Sequence, residues 1–155
     1  MNLPELKIGK LVAQVPIIQG GMAIRLSTAP LAAAVANEGG IGLIAASGMG
    51  LDELRKEIRM ARELTGGKGI IGINAMVAAR QFLDLITTAA EEGIDLIVAG
   101  AGFSRDIFAV GKKYGVEVVP IVSSARLAQT AEKLGASAVV VEGTEAGGHL
   151  GTQQS

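Results

Sequence analysis

Short runs of consecutive apolar residues punctuate the chain at Val15–Gln19, Ile41–Ala45, Gly69–Asn74, Ile94–Ala99, Val116–Ile121 and Ala138–Glu142. Almost no polar residue alternates within a run, so neither face is marked for solvent. Such runs predict strands buried on both sides, as in a parallel sheet covered by helices. They recur at intervals of roughly 20–30 residues, the rhythm of repeated βα units.

The stretches between them carry helix signals. Ser27 or Thr28 can cap a helix that has Pro30 in its first turn and ends at Gly39. Asp52 can cap a second, in which Leu54, Ile58, Ala61 and Leu64 follow helical spacing until Gly66 and Gly67. A third is expected over about Arg80–Glu92, and shorter ones over Asp106–Tyr114 and Ser124–Leu134, closed by Gly115 and Gly135.

Alternating strands and helices fit a (β/α)8 TIM barrel or a doubly wound sheet. The chemistry placed at the strand ends favours the barrel. A barrel needs eight strands and typically more than 200 residues. Residues 1–155 are therefore expected to form a single domain of α/β class: the N-terminal part of a (β/α)8 barrel with about six βα units and the C-terminal strands missing. A complete small α/β domain is the rival reading.

Composition narrows the class. Hydrophobic residues make up 49% and aromatic ones 3%, so the core is built from Ala, Val, Ile and Leu. A net charge of −1, without a basic stripe or aromatic platform, argues against nucleic acid as a partner. The chain has no cysteine, which excludes disulfide and thiolate chemistry. The N-terminus lacks the pattern of a secretory signal, and no apolar run is long enough to span a bilayer. A cytoplasmic protein without membrane association is expected.

The chemistry gathers at the end of the last run, in Glu142-Gly143-Thr144-Glu145-Ala146-Gly147-Gly148-His149-Leu150-Gly151. In α/β proteins ligands sit outside the carboxyl ends of parallel strands. Gly147 and Gly148 let the backbone approach a flat ligand, and His149, the single histidine, suits proton transfer near neutral pH. A structural histidine is the competing reading; metal binding is disfavoured, since no cysteine or second histidine is present.

Other strand ends repeat the theme. Gly20-Gly21-Met22 follows the first run, where main-chain groups and a polarisable methionine can face a ring system; a tight turn with a core methionine is the alternative. Asn74 ends the third run with an amide that can bind a ligand or cap a turn. Ser123 and Ser124 follow the fifth run; either can bond a cofactor, and Ser124 also suits a helix N-cap. Ala99-Gly100-Ala101-Gly102-Phe103 is a further close-approach loop or a plain turn. Gly40-x-Gly42-x-x-Ala45 imitates a dinucleotide fingerprint, but its glycines open a strand instead of following one, so that reading is rejected.

The 142–151 segment resembles the strand-end signature of FMN-dependent nitronate monooxygenases, formerly 2-nitropropane dioxygenases, shared with flavin-containing enoyl-acyl-carrier-protein reductase II enzymes. Gly20-Gly21-Met22, the second run and Asn74 add to the resemblance. It implies FMN across the strand ends, contacted by Gly20, Gly21, Met22 and Asn74, with Ser123, Glu142, Gly147 and Gly148 as further candidates and His149 as catalytic residue. It implies oxidation of alkyl nitronates with dioxygen; the alternatives are reduction of an enoyl thioester, or of another acceptor, with NAD(P)H. A possible homo-oligomer is allowed. Some relatives place a basic residue on the fifth strand where this chain has Ile121, and the phosphate-binding loops of the last two barrel strands are missing. A non-catalytic barrel fragment is therefore the reading from another class.

Overall fold

The computed structural model describes residues 3–148. A hairpin of β1 (Leu6–Ile8) and β2 (Leu11–Ala13) comes first. Strands β3 (Ile18–Gln19), β4 (Ile41–Ala45), β5 (Ile70–Met76), β6 (Leu96–Gly100), β7 (Glu117–Val122) and β8 (Val140–Val141) then alternate with helices α1 (Ala29–Asn37), α2 (Leu51–Leu64), α3 (Phe82–Glu91), α4 (Asp106–Tyr114) and α5 (Ala125–Leu134). Strands β3 to β8 are parallel and lie in the sheet in the order in which they occur in the chain. A doubly wound sheet would reverse its strand order at a switch point. This sheet does not; it is an arc of a (β/α)8 barrel, with six strands.

Strand alternation divides the apolar residues into two layers. Ile41, Leu43, Leu96, Val98 and Val119 cluster on the concave side. Ile44, Ile71, Ile73, Ile97 and Ala99 pack outward with Leu54, Ile58, Leu85, Ile86 and Ile107 of the helices. Fully burying a side chain of this size contributes about 1.5–3 kcal/mol. Glycines set the closest approaches. A Cβ on Gly42 would sit 1.9 Å from the Ala32 carbonyl oxygen, so α1 lies directly on β4. This packing, and the place of Gly42 inside a strand, accord with rejecting the dinucleotide fingerprint. On the concave side, a Cβ on Gly72 would come within 2.5 Å of Leu96 and 2.6 Å of Leu43.

Several boundaries differ from the sequence reading. β3 and β8 are two residues long, shorter than the apolar runs containing them. The second helix starts at Leu51 with Gly50 at its N-cap, and Asp52 lies in its first turn, where it faces the positive end of the helix dipole instead of capping it. Thr28 occupies the N-cap of α1 without a side-chain bond; the carboxylate of Glu57 on α2 accepts the Ala29 N–H at 2.6 Å. Ser124 is a true cap, accepting the Leu127 N–H at 3.3 Å.

The β1–β2 hairpin has no counterpart in the apolar pattern. Its three-residue strands are broken by Gly9 and Lys10 and interrupted by Lys7, so no run is visible. It closes the amino-terminal end of the arc. Ile8 and Ala13 are buried in the concave cluster, and Glu117 of β7 accepts the Lys10 backbone N–H at 3.0 Å. Gly9 turns at φ +55°, and a Cβ there would collide with the Glu117 carboxylate.

Candidate functional site

At the opposite end, where the strands finish, the loop leaving β3 is shaped by Ser27. This serine is completely buried, and its hydroxyl accepts the Met22 N–H and the Gln19 Nε2–H, both at 2.9 Å, while donating to the Gly20 carbonyl at 3.3 Å. Its backbone N–H returns to the Met22 carbonyl at 3.0 Å, and its own carbonyl accepts the Ala45 N–H at 2.9 Å. Gln19 also accepts the Leu43 N–H at 3.3 Å. Residues 20–22 are therefore held against β4 by side-chain bonds, where a two-residue strand alone would leave them loose. The loop's outer side is tied by Arg25, whose guanidinium donates to both carboxylate oxygens of Glu53 at 2.9 and 3.1 Å. That hydrogen bond holds the Glu53 carboxyl below the usual carboxylate range.

The next strand ends continue the wall. Asn74 and Met76 leave β5 on the same face, two residues apart, and Ser47 after β4 accepts the Met76 N–H at 2.8 Å. The Ala46 N–H bonds the Asn74 carbonyl at 2.9 Å. Gly100 ends β6; a Cβ on it would sit 2.7 Å from Ile121 of β7. Glu142 follows β8, its N–H bonded to the Val122 carbonyl at 3.0 Å.

These ends enclose a cavity of about 700 Å³, within the range of small-molecule and cofactor sites. Of the residues singled out in the sequence, Gly21, Met22, Asn74, Glu142, Gly147 and Gly148 line it. Gly20 stands behind, in the Ser27 network, with open space where a Cβ would be. Ser123 is half-buried and outside the lining. His149 lies outside the described residues. Gly21 is a glycine for a reason the sequence did not reveal: a Cβ there would meet the Asn74 Cβ at 2.4 Å. Asn74 is thus pressed against the β3 exit, and its amide has no hydrogen-bond partner among the described residues.

Sequence reasoning missed Ser27 and Ser47 as parts of this site, whereas Ile121, named there only through the family resemblance, does line the cavity. Ser27 looked like a helix cap. Ser47 had one signal, a small polar residue just past a buried strand. The lining is mostly apolar, with Ser47, Asn74 and Glu142 as its polar side chains. It can take a flat, largely apolar ligand and hold it through a hydroxyl, an amide and main-chain groups. Among the described residues no group of three or more His, Cys, Asp or Glu is gathered to hold a metal ion. Two other cavities, of about 540 and 440 Å³, lie at the amino-terminal ends of the strands, lined mainly by helix-to-strand turns. Function in such barrels sits at the carboxyl ends.

Known proteins share this fold. The family model for nitronate monooxygenase matches residues 5–99 and 75–155. FabK from Thermotoga maritima superposes with a TM-score of 0.84 at 38% identity, over 89% of this chain and 43% of that one. A 5-hydroxy-7a-methyl-1-oxo-octahydro-1H-indene-4-carboxyl-CoA dehydrogenase from Mycobacterium tuberculosis is 32% identical over 136 aligned positions, 88% of this chain and 38% of its own length. A nitronate monooxygenase from Paraburkholderia phytofirmans is 32% identical over 186 positions, 96% of this chain and 49% of its own. The chain spans half or less of the length of each of these relatives.

Proposed function

The chain belongs to the nitronate monooxygenase family, and from that premise we propose that it forms the substrate-facing part of an FMN-dependent oxidoreductase that oxidises alkyl nitronates with dioxygen. The observation that carries the reading is the mouth cavity, where Gly21, Met22 and Asn74 from two strand ends meet Glu142 from a third. The residues present fit a flavin ring. The cavity is large enough, the β3 exit loop is fixed in place before any ligand arrives, and the unpartnered Asn74 amide offers both a donor and an acceptor.

FMN, when bound, supplies the electron-accepting ring, and the protein supplies position and proton control. Gly20, Gly21 and Met22 would present main chain and a polarisable thioether to that ring. The apolar walls would leave little for water to bind once a ligand fills the cavity, and Ile121 adds no charge beside the site. His149, placed by the sequence alone, would accept the proton of a neutral nitroalkane or hydrogen-bond its anion. Glu142 would orient that loop.

A second reading keeps the flavin and exchanges the substrate for an enoyl thioester reduced with NAD(P)H. One observation favours its thioester part. The alignment to the Paraburkholderia nitronate monooxygenase runs over 186 positions, more than the 155 residues of the whole chain, so that enzyme carries an internal stretch with no counterpart here. The alignment to the CoA-ester dehydrogenase needs 136 positions for 88% of the chain and is nearly collinear.

The deciding experiment uses a full-length protein containing this chain. Purified yellow, it is tested for nitronate-dependent oxygen consumption and, without oxygen, for NAD(P)H oxidation on adding an enoyl thioester. The first reading expects the former activity to collapse by about 10²–10⁴-fold in His149→Ala, the size of a general acid–base contribution. A protein that carries no flavin sinks both readings.

A further inference from the structure

The hydroxyl of Ser47 accepts the Met76 N–H at 2.8 Å. That bond occupies a lone pair and leaves the hydroxyl proton to be donated elsewhere, and no acceptor for it exists among the described residues. Ser47 is half-buried in the wall of the mouth cavity, so the proton faces that space. Asn74 stands beside it, two residues before Met76 on β5, and the Ala46 N–H to Asn74 carbonyl bond joins the two strand ends. The Asn74 side chain is confined by Gly21, and its amide also lacks a partner among the described residues. Neither group is sealed from solvent, so both keep hydrogen-bonding capacity that a ligand entering the cavity can take up. Asn74 lies within β5, and Ser47, in the turn after β4, is tied to β5 by its bond to Met76, so both are anchored to the sheet, a placement that suits recognition of a ligand edge.

We propose that Ser47 is a ligand-binding residue that, together with Asn74, reads the edge of a planar heterocycle carrying a ring carbonyl next to a ring N–H. A carboxamide matches that pair in a two-point contact, donating to the carbonyl and accepting from the N–H. The Ser47 hydroxyl donates to a second ring acceptor. The inference rests on the flavin reading, because the pyrimidine portion of a flavin has an edge of this class.

The test titrates the full-length protein, stripped of cofactor, with FMN and with N3-methyl-FMN, following flavin fluorescence and the visible absorption bands. Ser47→Ala is expected to bind FMN about five- to tenfold more weakly, the worth of one hydrogen bond, and to shift the bands. Ser47→Thr, which keeps the hydroxyl, is expected to restore both. The wild type is expected to lose affinity for N3-methyl-FMN, which blocks the ring N–H. Two results overturn the proposal: Ser47→Ala binding FMN within twofold of wild type while only its melting temperature falls, or wild type binding both flavins equally. The N3-methyl comparison tests the Asn74 contact and needs no variant; where Ser47→Ala fails to fold, Ser47→Cys, of similar shape but a weak donor, tests the hydroxyl, and FMN binding by it within twofold of wild type overturns the proposal. A wild type that binds no flavin refutes the functional reading itself, and this inference with it.

Discussion

Gly21 has no room for a methyl group, whereas its neighbour Gly20 has nothing within 4 Å of where one would be. The two adjacent glycines therefore do different jobs. Gly21→Ala must displace Asn74, a strain of about 1–3 kcal/mol, and is expected to lower both the urea midpoint and flavin retention. Gly20→Ala is expected to leave folding within about 0.5 kcal/mol of wild type. Urea unfolding of the pair checks this; equal stability of the two variants would show that Asn74 does not lean on Gly21. Ser27 teaches the same lesson in reverse. A serine ahead of Thr28 and Pro30 reads as a helix start, but its complete burial among Gln19, Gly20 and Met22 makes it the clamp of the β3 exit loop. Only the approach of those partners distinguishes the two roles.

Among the elements, α2 shows most clearly how helical periodicity becomes tertiary structure. Its apolar stripe of Leu54, Ile58 and Ala61 faces the sheet, as their spacing predicts, whereas Leu64, the fourth residue of that series, is exposed in the last turn. On its flank, Arg55, Arg59 and Arg62 reach across to the end of α3 and the start of β6. Arg59 donates to both oxygens of Glu92 at 2.8 and 2.7 Å, and Arg62 pairs with Asp95 at 2.9 Å. Hydrogen bonding from Arg59, reinforced by the charges of Arg59 and Arg55, holds the Glu92 carboxyl below its usual range. A carboxyl with a lower pKa folded than unfolded binds more protons in the unfolded state. Its stabilisation is complete above the ordinary carboxylate pKa of about 4.3 and is lost as pH falls through the depressed folded value. Glu92→Gln is therefore expected to be less stable than wild type at pH 7, with the gap closing as pH falls below the ordinary carboxylate range. Urea midpoints measured along that descent test it; a gap that stays constant would mean the pair is not linked to folding. The β1–β2 hairpin marks the limit of pattern reading, since three-residue strands carry too few positions to show a period.

At the scale of the whole molecule, the arc ends in two strands that pair on one side only among the described residues, β3 with β4 and β8 with β7. Ile17 beside β3 is 57% exposed and Val141 in β8 is 67% exposed. Exposed apolar residues at unpaired edges favour association. In barrels the cofactor phosphate is commonly held after the seventh and eighth strands. The 155-residue chain alone is expected to self-associate in sedimentation and to retain FMN weakly, and a protein of its relatives' length to bind it tightly. Stoichiometric, tight FMN binding by a monomeric 155-residue chain would refute that expectation.

Local composition determined much of this protein. Doubly buried apolar runs marked the parallel strands, helical spacing and glycine stops marked the helices, and the glycine-rich strand ends marked the face where the mouth cavity opens. These signals lie within a few consecutive residues, so they survive without a fold. What only the tertiary structure decided depends on distance between segments: the strand order that makes an arc instead of a doubly wound sheet, the clash that reserves Gly21 for Asn74, the burial that turns Ser27 from a cap into a clamp, and the meeting of Ser47 with Met76. Packing brings those partners together from up to 53 positions apart in the chain, and no local pattern encodes which of them will touch.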